Sequence, residues 1–133
     1  MTEAQKQAVN EVAELSHAGK IHFGEVVGRL MEAGIERYHA DYSRGETTYY
    51  MPDGSSHVVS ISLPMDSIAR EFSASAVQDA VRRAQRGEVF YPEFVKLTAQ
   101  AGCVGYFVQI TGRRVQYFGR DGDVHVELFP GAR

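Results

Sequence analysis

Two histidines are the residues of this chain whose type and spacing best suit chemistry. His57 and His125 lie 68 positions apart, and each comes three residues after an Asp-Gly pair. Histidine is the side chain that gains or loses a proton near neutral pH. A matched pair at one site would bind an anion or divide acid and base roles. The alternative is structural: each histidine closes its own hairpin by bonding to Asp53 or Asp121.

Other catalytic and metal-binding chemistry is less favoured. The only cysteine, Cys103, follows a glycine in an apolar stretch and suits the core better than it suits a nucleophile. The chain lacks the His-x-His and His-Glu-x-x-His spacings, so we predict no metal site and no cofactor. His57, His125 and Glu127 would supply three ligands only if the two parts of the chain converged.

The two histidines belong to an internal repeat. Residues 8–59 align without a gap on residues 76–127, with 13 identities among the 52 pairs. Gly34 matches Gly102 in this alignment. A repeat of two copies is too short for a solenoid, so we expect both copies to share one core.

The length of 133 residues suits one domain, residues 1–133, built by duplication. Repeat one spans about 4–63 and repeat two about 72–130. The short linker between them keeps the repeats in contact, and we expect Asp66 to cap one helical turn within it.

Each repeat is predicted to contain two helices followed by three strands. Thr2 and Gln5 have capping-box spacing at the first helix, and the matching helix is expected to begin near Ser75. The Asp-Gly pairs predict two-residue hairpin turns with positive φ at the glycine. The predicted strands cover residues 35–42, 46–51, 56–63, 103–110, 114–118 and 123–129.

These elements predict an α+β fold of two tandem ααβββ repeats related by a pseudo-twofold. The sheet is expected to be antiparallel with helices on one face. Alternation in the strands then separates the two faces. We assign to the helix-covered core two sets of residues: Val104, Tyr106 and Val108, and Val124, Val126 and Leu128.

The opposite face of the sheet is the predicted binding face. It mixes aromatic and titratable side chains, which is typical of a groove or an interface. The alternative is that the sheet curls and buries this side itself. The candidate residues are His39, His57, Phe107, His125, Glu127 and Phe129.

Charge and hydropathy limit the partners. A net charge of −3 and a pI near 5.9 do not fit nucleic-acid binding. No apolar run reaches the length of a membrane span, and the N-terminus lacks the apolar core of a signal peptide, so we predict a cytoplasmic protein. The first half is acidic and the second mildly basic, which favours head-to-tail self-association into a homo-oligomer.

Four stretches of the chain resemble a known family. They are residues 33–41, TYYMPDG at 48–54, AGCVGYFV at 101–108 and GRDGDVHVE at 119–127. The chain is similar there to the YbcV-like bacterial proteins of unknown function, some of which carry a phage envelope label. The resemblance runs nearly from end to end, and it implies no activity, cofactor or catalytic residue.

The sequence therefore predicts a small cytoplasmic binding or interaction module that self-associates. Its ligand, a small molecule or a protein, is not identified by the sequence. The alternative function is a small enzyme that uses His57 and His125 as acid/base or anion-binding groups. A third, more distant possibility is a phage or virion component. Whether the chain is an enzyme is left open.

Overall fold

The computed structural model describes residues 1–65 and 67–131, and these form an α+β fold. The described residues contain four helices and one six-stranded antiparallel sheet in the order ααβββ-ααβββ, which confirms the predicted class and element order. The predicted cap Asp66 lies outside the described residues. The elements are α1 Glu3–His17, α2 Phe23–Glu32, β1 Arg37–Asp41, β2 Glu46–Tyr50, β3 Ser56–Ser60, α3 Ala74–Gln85, α4 Tyr91–Gln100, β4 Cys103–Gln109, β5 Arg114–Gly119 and β6 Val124–Leu128.

Side-chain caps define where the first helix of each half begins. At α1, the backbone N–H of Gln5 donates to Thr2 Oγ1 at 3.1 Å, and the N–H of Thr2 donates to Gln5 Oε1 at 2.9 Å. This is the predicted capping box. The matching helix α3 begins two residues earlier than expected, because Ser73 rather than Ser75 caps it by accepting from the N–H of Ala76 at 3.2 Å.

The two Asp-Gly turns are longer than predicted. In the first turn, the N–H of Met51 donates to the carbonyl of Ser55 at 2.9 Å, which leaves three residues in the loop. Gly54 and its counterpart Gly122 have φ of 89° and 91°. A three-residue loop closed by a glycine at positive φ is the second common hairpin geometry, with a bulge at the glycine. The predicted backbone of the glycines is confirmed, and the predicted loop length is wrong.

The two halves of the chain meet in the middle of the sheet. The strand order is β3-β2-β1-β4-β5-β6, so β1 pairs with β4 and the third strand of each half lies at an outer edge. In the central ladder, Tyr38 is opposite Val108, His39 is opposite Phe107, and Ala40 is opposite Tyr106. One continuous sheet therefore carries both halves around one core.

The predicted faces are right for β1 and β4 and wrong for β3 and β6. His57 lies opposite Tyr49, and His125 lies opposite Tyr117. Residues opposite each other in an antiparallel ladder project from the same face. Tyr49 and Tyr117 are buried, so both histidines lie on the helix-covered face. Glu127 lies there too, because it is opposite the buried Val115.

The apolar residues of the outer strands lie on the open face instead. Val124, Val126 and Leu128 in β6 are 51%, 46% and 43% exposed, and Val58 in β3 is 50% exposed. The error in the prediction has a simple physical cause. Alternation tells which residues of a strand share a face, but it does not tell which face the helices cover.

Candidate functional site

The structure divides the six predicted site residues between the two faces of the sheet. His39 and Phe107 lie on the open face, where their rings stack with centroids 4.5 Å apart. His57, His125 and Glu127 lie on the helix-covered face. Phe129 follows β6 and packs edge to face against Phe23, with ring centroids 5.6 Å apart. The prediction that all six line one face is therefore wrong.

The two histidines that lie 68 positions apart, His57 and His125, do not converge. Their strands are the two edges of the sheet, separated by five inter-strand steps of about 4.8 Å, or roughly 24 Å in all. His57 Nε2 bonds to Asn10 Oδ1 at 2.8 Å, and His125 Nε2 bonds to Glu127 Oε1 at 2.8 Å. Neither of these hydrogen bonds is to the aspartate of the adjacent turn. One small substrate does not reach both rings.

A cavity lies between the helices and the sheet, on the helix-covered face. Its volume is about 590 Å³, within the range of roughly 300–1,000 Å³ that ligand pockets occupy. All four helices contribute apolar wall, and β1, β2, β4 and β5 each contribute a tyrosine. The wall residues that represent these elements are Val12, Val26, Val81, Phe94, Tyr38, Tyr49, Tyr106 and Tyr117.

The four tyrosines differ in their hydrogen bonds. Tyr106 donates its hydroxyl to that of Tyr91 at 2.8 Å. The hydroxyls of Tyr38, Tyr49 and Tyr117 have no hydrogen-bond partner among the described residues, although these side chains are only 4–5% exposed. Within the same residues, every side-chain nitrogen or oxygen sealed from solvent has a partner. The three free hydroxyls are thus not sealed, and they open onto the cavity that their residues line.

The protonation state of these tyrosines decides whether their hydroxyls donate hydrogen bonds to a ligand or act as bases. Burial raises the pKa of Tyr38, Tyr49 and Tyr117 well above that of a free tyrosine. Each hydroxyl is therefore protonated at neutral pH and donates as well as accepts a hydrogen bond. Such groups orient a ligand in an apolar pocket, but they do not act as bases near neutral pH.

Glu127 forms a charged part of the cavity wall. Desolvation alone raises the pKa of this carboxyl, but hydrogen bonds from His125 and Arg82 outweigh it and hold the pKa below its usual value. Arg82 donates to Oε2 at 2.9 Å, and His125 bonds to Oε1 at 2.8 Å. Both carboxylate oxygens are already bonded, so Glu127 is a fixed anion and not a free catalytic base.

His17 also borders the cavity. Its ring stacks on Tyr91, with centroids 5.8 Å apart, and its Nδ1 accepts the backbone N–H of Ser62 at 3.4 Å. In the neutral ring the proton is therefore on Nε2. Burial lowers the pKa of His17, which favours this neutral form.

His17 makes the free energy of unfolding depend on pH. The folded pKa is below the unfolded value of 6.5, so the unfolded chain takes up the proton first as the pH falls. The stabilisation is complete above about pH 6.5 and is lost as the pH falls through the folded pKa. We expect His17→Gln to flatten the loss of stability between about pH 7 and 5 in urea unfolding. An unchanged slope would contradict this role.

Cys103 does not have the properties of a nucleophile. It is fully buried, and burial raises the pKa of its thiol to about 11. The thiolate, which is the reactive form, is therefore scarce at neutral pH. Among residues 1–65 and 67–131, no group of three or more His, Cys, Asp or Glu side chains could hold a metal ion.

Two predicted site residues border the cavity, Glu127 and Phe129. The other cavity residues were not predicted as a site, and Tyr106 was assigned to the helix-covered core. The available signal was the recurrence of Tyr38 and Tyr49 as Tyr106 and Tyr117, 68 positions later. In the described ranges no helix has the length and apolar character to cross a membrane.

The chain belongs to a family described as a protein of unknown function (DUF1398), whose model matches residues 56–127. The match covers just over half of the chain and runs from the first residue of β3 to the penultimate residue of β6. It includes all of the second half's helices and its first two strands. A search of curated proteins found no match.

Proposed function

We propose that this DUF1398 chain is a small-molecule-binding module that holds a mostly apolar ligand between its helices and its sheet. The observation that carries the proposal is that three nearly buried tyrosine hydroxyls open, without protein partners, onto a cavity of about 590 Å³. The apolar wall would contribute about 25 cal/mol per Å² removed from water. The hydroxyls would orient the ligand, because the few polar groups of an apolar pocket usually fix the orientation of the ligand and give the pocket its specificity.

The cavity draws on both halves of the chain in a matched way. Many of its wall residues are partners at the 68-residue offset, such as Tyr38 with Tyr106 and Val26 with Phe94. We infer that the two ααβββ repeats are related by a pseudo-twofold that passes through this region. A ligand on such an axis contacts both repeats, so a single repeat would not bind it.

Two ring stacks support the inferred axis. His22 stacks on Phe90 with centroids 4.1 Å apart, and His39 stacks on Phe107 at 4.5 Å. The members of each pair are 68 positions apart. In the central ladder, Tyr38 is opposite Val108, and Ala40 is opposite Tyr106. The offset of 68 residues relates Tyr38 to Tyr106 and Ala40 to Val108, so exchanging the two halves maps one pair onto the other. Both observations are what a twofold between β1 and β4 requires.

The enzyme alternative has less support. It needs His57 and His125 near one substrate, and the two outer strands keep them roughly 24 Å apart. Self-association, a cytoplasmic location and the YbcV-like or phage-related assignment stay predictions. The surface that favours a second copy is the exposed apolar row of β6, Val124, Val126 and Leu128, at an unpaired sheet edge.

A matched pair of glycines in α2 tests the ligand site. Gly24 borders the cavity and Gly28 does not, and a Cβ at either position meets no atom within 4 Å. Leucine at Gly28, in the interior of α2, should raise the free energy of unfolding by roughly 1 kcal/mol, because glycine is a poor helix former, and leucine at Gly24, in the first turn, should raise it by less. Only Gly24→Leu should place its side chain at the cavity.

The measurement is a fluorescence titration with N-phenyl-1-naphthylamine, a neutral apolar dye. We expect the parent protein and Gly28→Leu to bind the dye alike and Gly24→Leu to bind at least tenfold more weakly. Urea unfolding of both variants controls for folding. Equal dye affinities in the two variants, or no binding to the parent protein, would remove the basis of the proposal.

A further inference from the structure

Arg113 has an unusual backbone conformation at the edge of the cavity. Its φ is 56°, and it is the one non-glycine among the described residues with positive φ. The equivalent turn of the first half has Gly45 at this position, with φ of 67°. Glycine adopts this conformation without strain and arginine does not. Strained residues persist mainly where the surrounding structure or the function requires them.

The side chain of Arg113 is also unusual among the arginines. It is exposed and borders the cavity, and it has no hydrogen-bond or ion-pair partner within the described ranges. Every other arginine that the structure describes has at least one. Arg82 is paired with Glu127 at 2.9 Å, and Arg114 donates to the carbonyl of Gly112 at 3.2 Å.

The edge of the cavity beside Arg113 is apolar. The backbone N–H of Phe129 donates to the carbonyl of Arg113 at 3.0 Å, and Phe129 packs against Phe23 with ring centroids 5.6 Å apart. Both phenylalanines border the cavity, and Phe23 is 41% exposed. The carboxylate that borders the same cavity, Glu127, is paired with the guanidinium of Arg82 at 2.9 Å and hydrogen-bonded to His125 at 2.8 Å. It therefore offers little repulsion to an incoming anion.

We propose that the ligand of this cavity is an anionic amphiphile, with its apolar body inside and its anionic group held at the edge by Arg113. This proposal rests on the proposed function, since it needs the cavity to take a ligand. A guanidinium binds a carboxylate or a phosphate through two parallel hydrogen bonds, and a free one at an apolar edge suits such a group. The three tyrosine hydroxyls lie deeper and contact the body of the ligand.

The test compares ligands that differ only at one end. Decanoate, decyl phosphate and decanol are titrated against the protein with bound N-phenyl-1-naphthylamine, and displacement of the dye is measured. We expect at least one of the two anions to bind tenfold or more tightly than decanol. The tighter of the two identifies the anionic group, carboxylate or phosphate.

Variants at position 113 assign the effect to the guanidinium. Arg113→Asn removes the charge with a residue that tolerates positive φ, and it should abolish the preference for the anion without changing decanol binding. Arg113→Lys should retain most of the preference. Arg114→Asn is the matched control, because Arg114 is exposed in the next position and does not border the cavity. It should behave as the parent protein does.

The other outcomes separate this proposal from the one on which it rests. If the dye binds but the anions and decanol bind equally, or if Arg113→Asn leaves the preference intact, the role of Arg113 is overturned and the cavity site stands. If the dye binds and none of the three ligands displaces it, the amphiphile is overturned. If the dye itself does not bind the parent protein, both proposals fail.

Discussion

Gly102→Ala should destabilise the protein by roughly 3 kcal/mol or more, through a clash added to backbone strain. Gly102 ends α4 with φ of 86°, and a Cβ there would lie 2.1 Å from the carbonyl oxygen of Glu71 and 2.8 Å from the Cα of Phe72. Both are backbone atoms. The segment that carries them is held in place, because the N–H of Ser73 donates to the carbonyl of Ala101 at 2.8 Å.

Gly34 provides the matched control, because it ends α2 at the equivalent position with φ of 87°. A Cβ at Gly34 would lie 3.4 Å from Met51 Cε and 3.6 Å from Gln5 Nε2, which are ordinary contacts with flexible side chains. Gly34→Ala should therefore cost only about 1 kcal/mol, from backbone strain alone. Urea unfolding measures both variants, and equal costs would show that the linker does not pack against Gly102 as described.

Leu30→Ala should cost about 2–5 kcal/mol, the range for removing a fully buried leucine from a packed core. Leu30 is 0% exposed and lies on the buried side of α2. It does not border the cavity, so its side chain is surrounded by protein atoms that cannot all close the space it would leave.

Met31 is the control for this substitution, because it is the next residue of the same helix and is 61% exposed. Met31→Ala should change the free energy of unfolding by no more than about 0.5 kcal/mol. A small effect of Leu30→Ala, close to that of Met31→Ala, would mean that α2 does not pack against the core as it does here.

The order of the elements could be predicted because it depends on local signals that occur twice. Glycines at the helix ends, the cap at Thr2 and the Asp-Gly pairs all act within a few residues of their own position. The structure has the same order, two helices and then three strands, in both halves of the chain. Two details of the structure differ from the prediction. Ser73 rather than Ser75 caps α3, and the hairpin loops have three residues rather than two.

The faces of the outer strands could not be predicted for a different reason. In β6 the apolar residues Val124, Val126 and Leu128 lie outside, and the polar His125 and Glu127 lie inside. Glu127 is stable there because Arg82, from α3, is close enough to pair with it at 2.9 Å. That pairing joins residues far apart in sequence, and no pattern within the strand indicates it.

The cavity is harder to predict from the sequence than the faces of the outer strands are. Tyr38 and Tyr49 have the alternation and size of ordinary core residues, and they are buried as core residues are. The distance between the helices and the sheet decides whether their hydroxyls meet protein atoms or empty space. That distance is set by the packing of all four helices together and not by any one segment.

The central claim, that a ligand lies against the cavity tyrosines, is tested most directly by NMR of the protein with 13C-labelled tyrosine rings. N-phenyl-1-naphthylamine is the probe, because its aromatic rings shift the signals of nearby protons. We predict that Tyr38, Tyr49 and Tyr117 shift together along one binding curve, while Tyr50 on the open face does not. Shifts at Tyr50 with the three cavity tyrosines unchanged would contradict the account and place binding on the open face of the sheet.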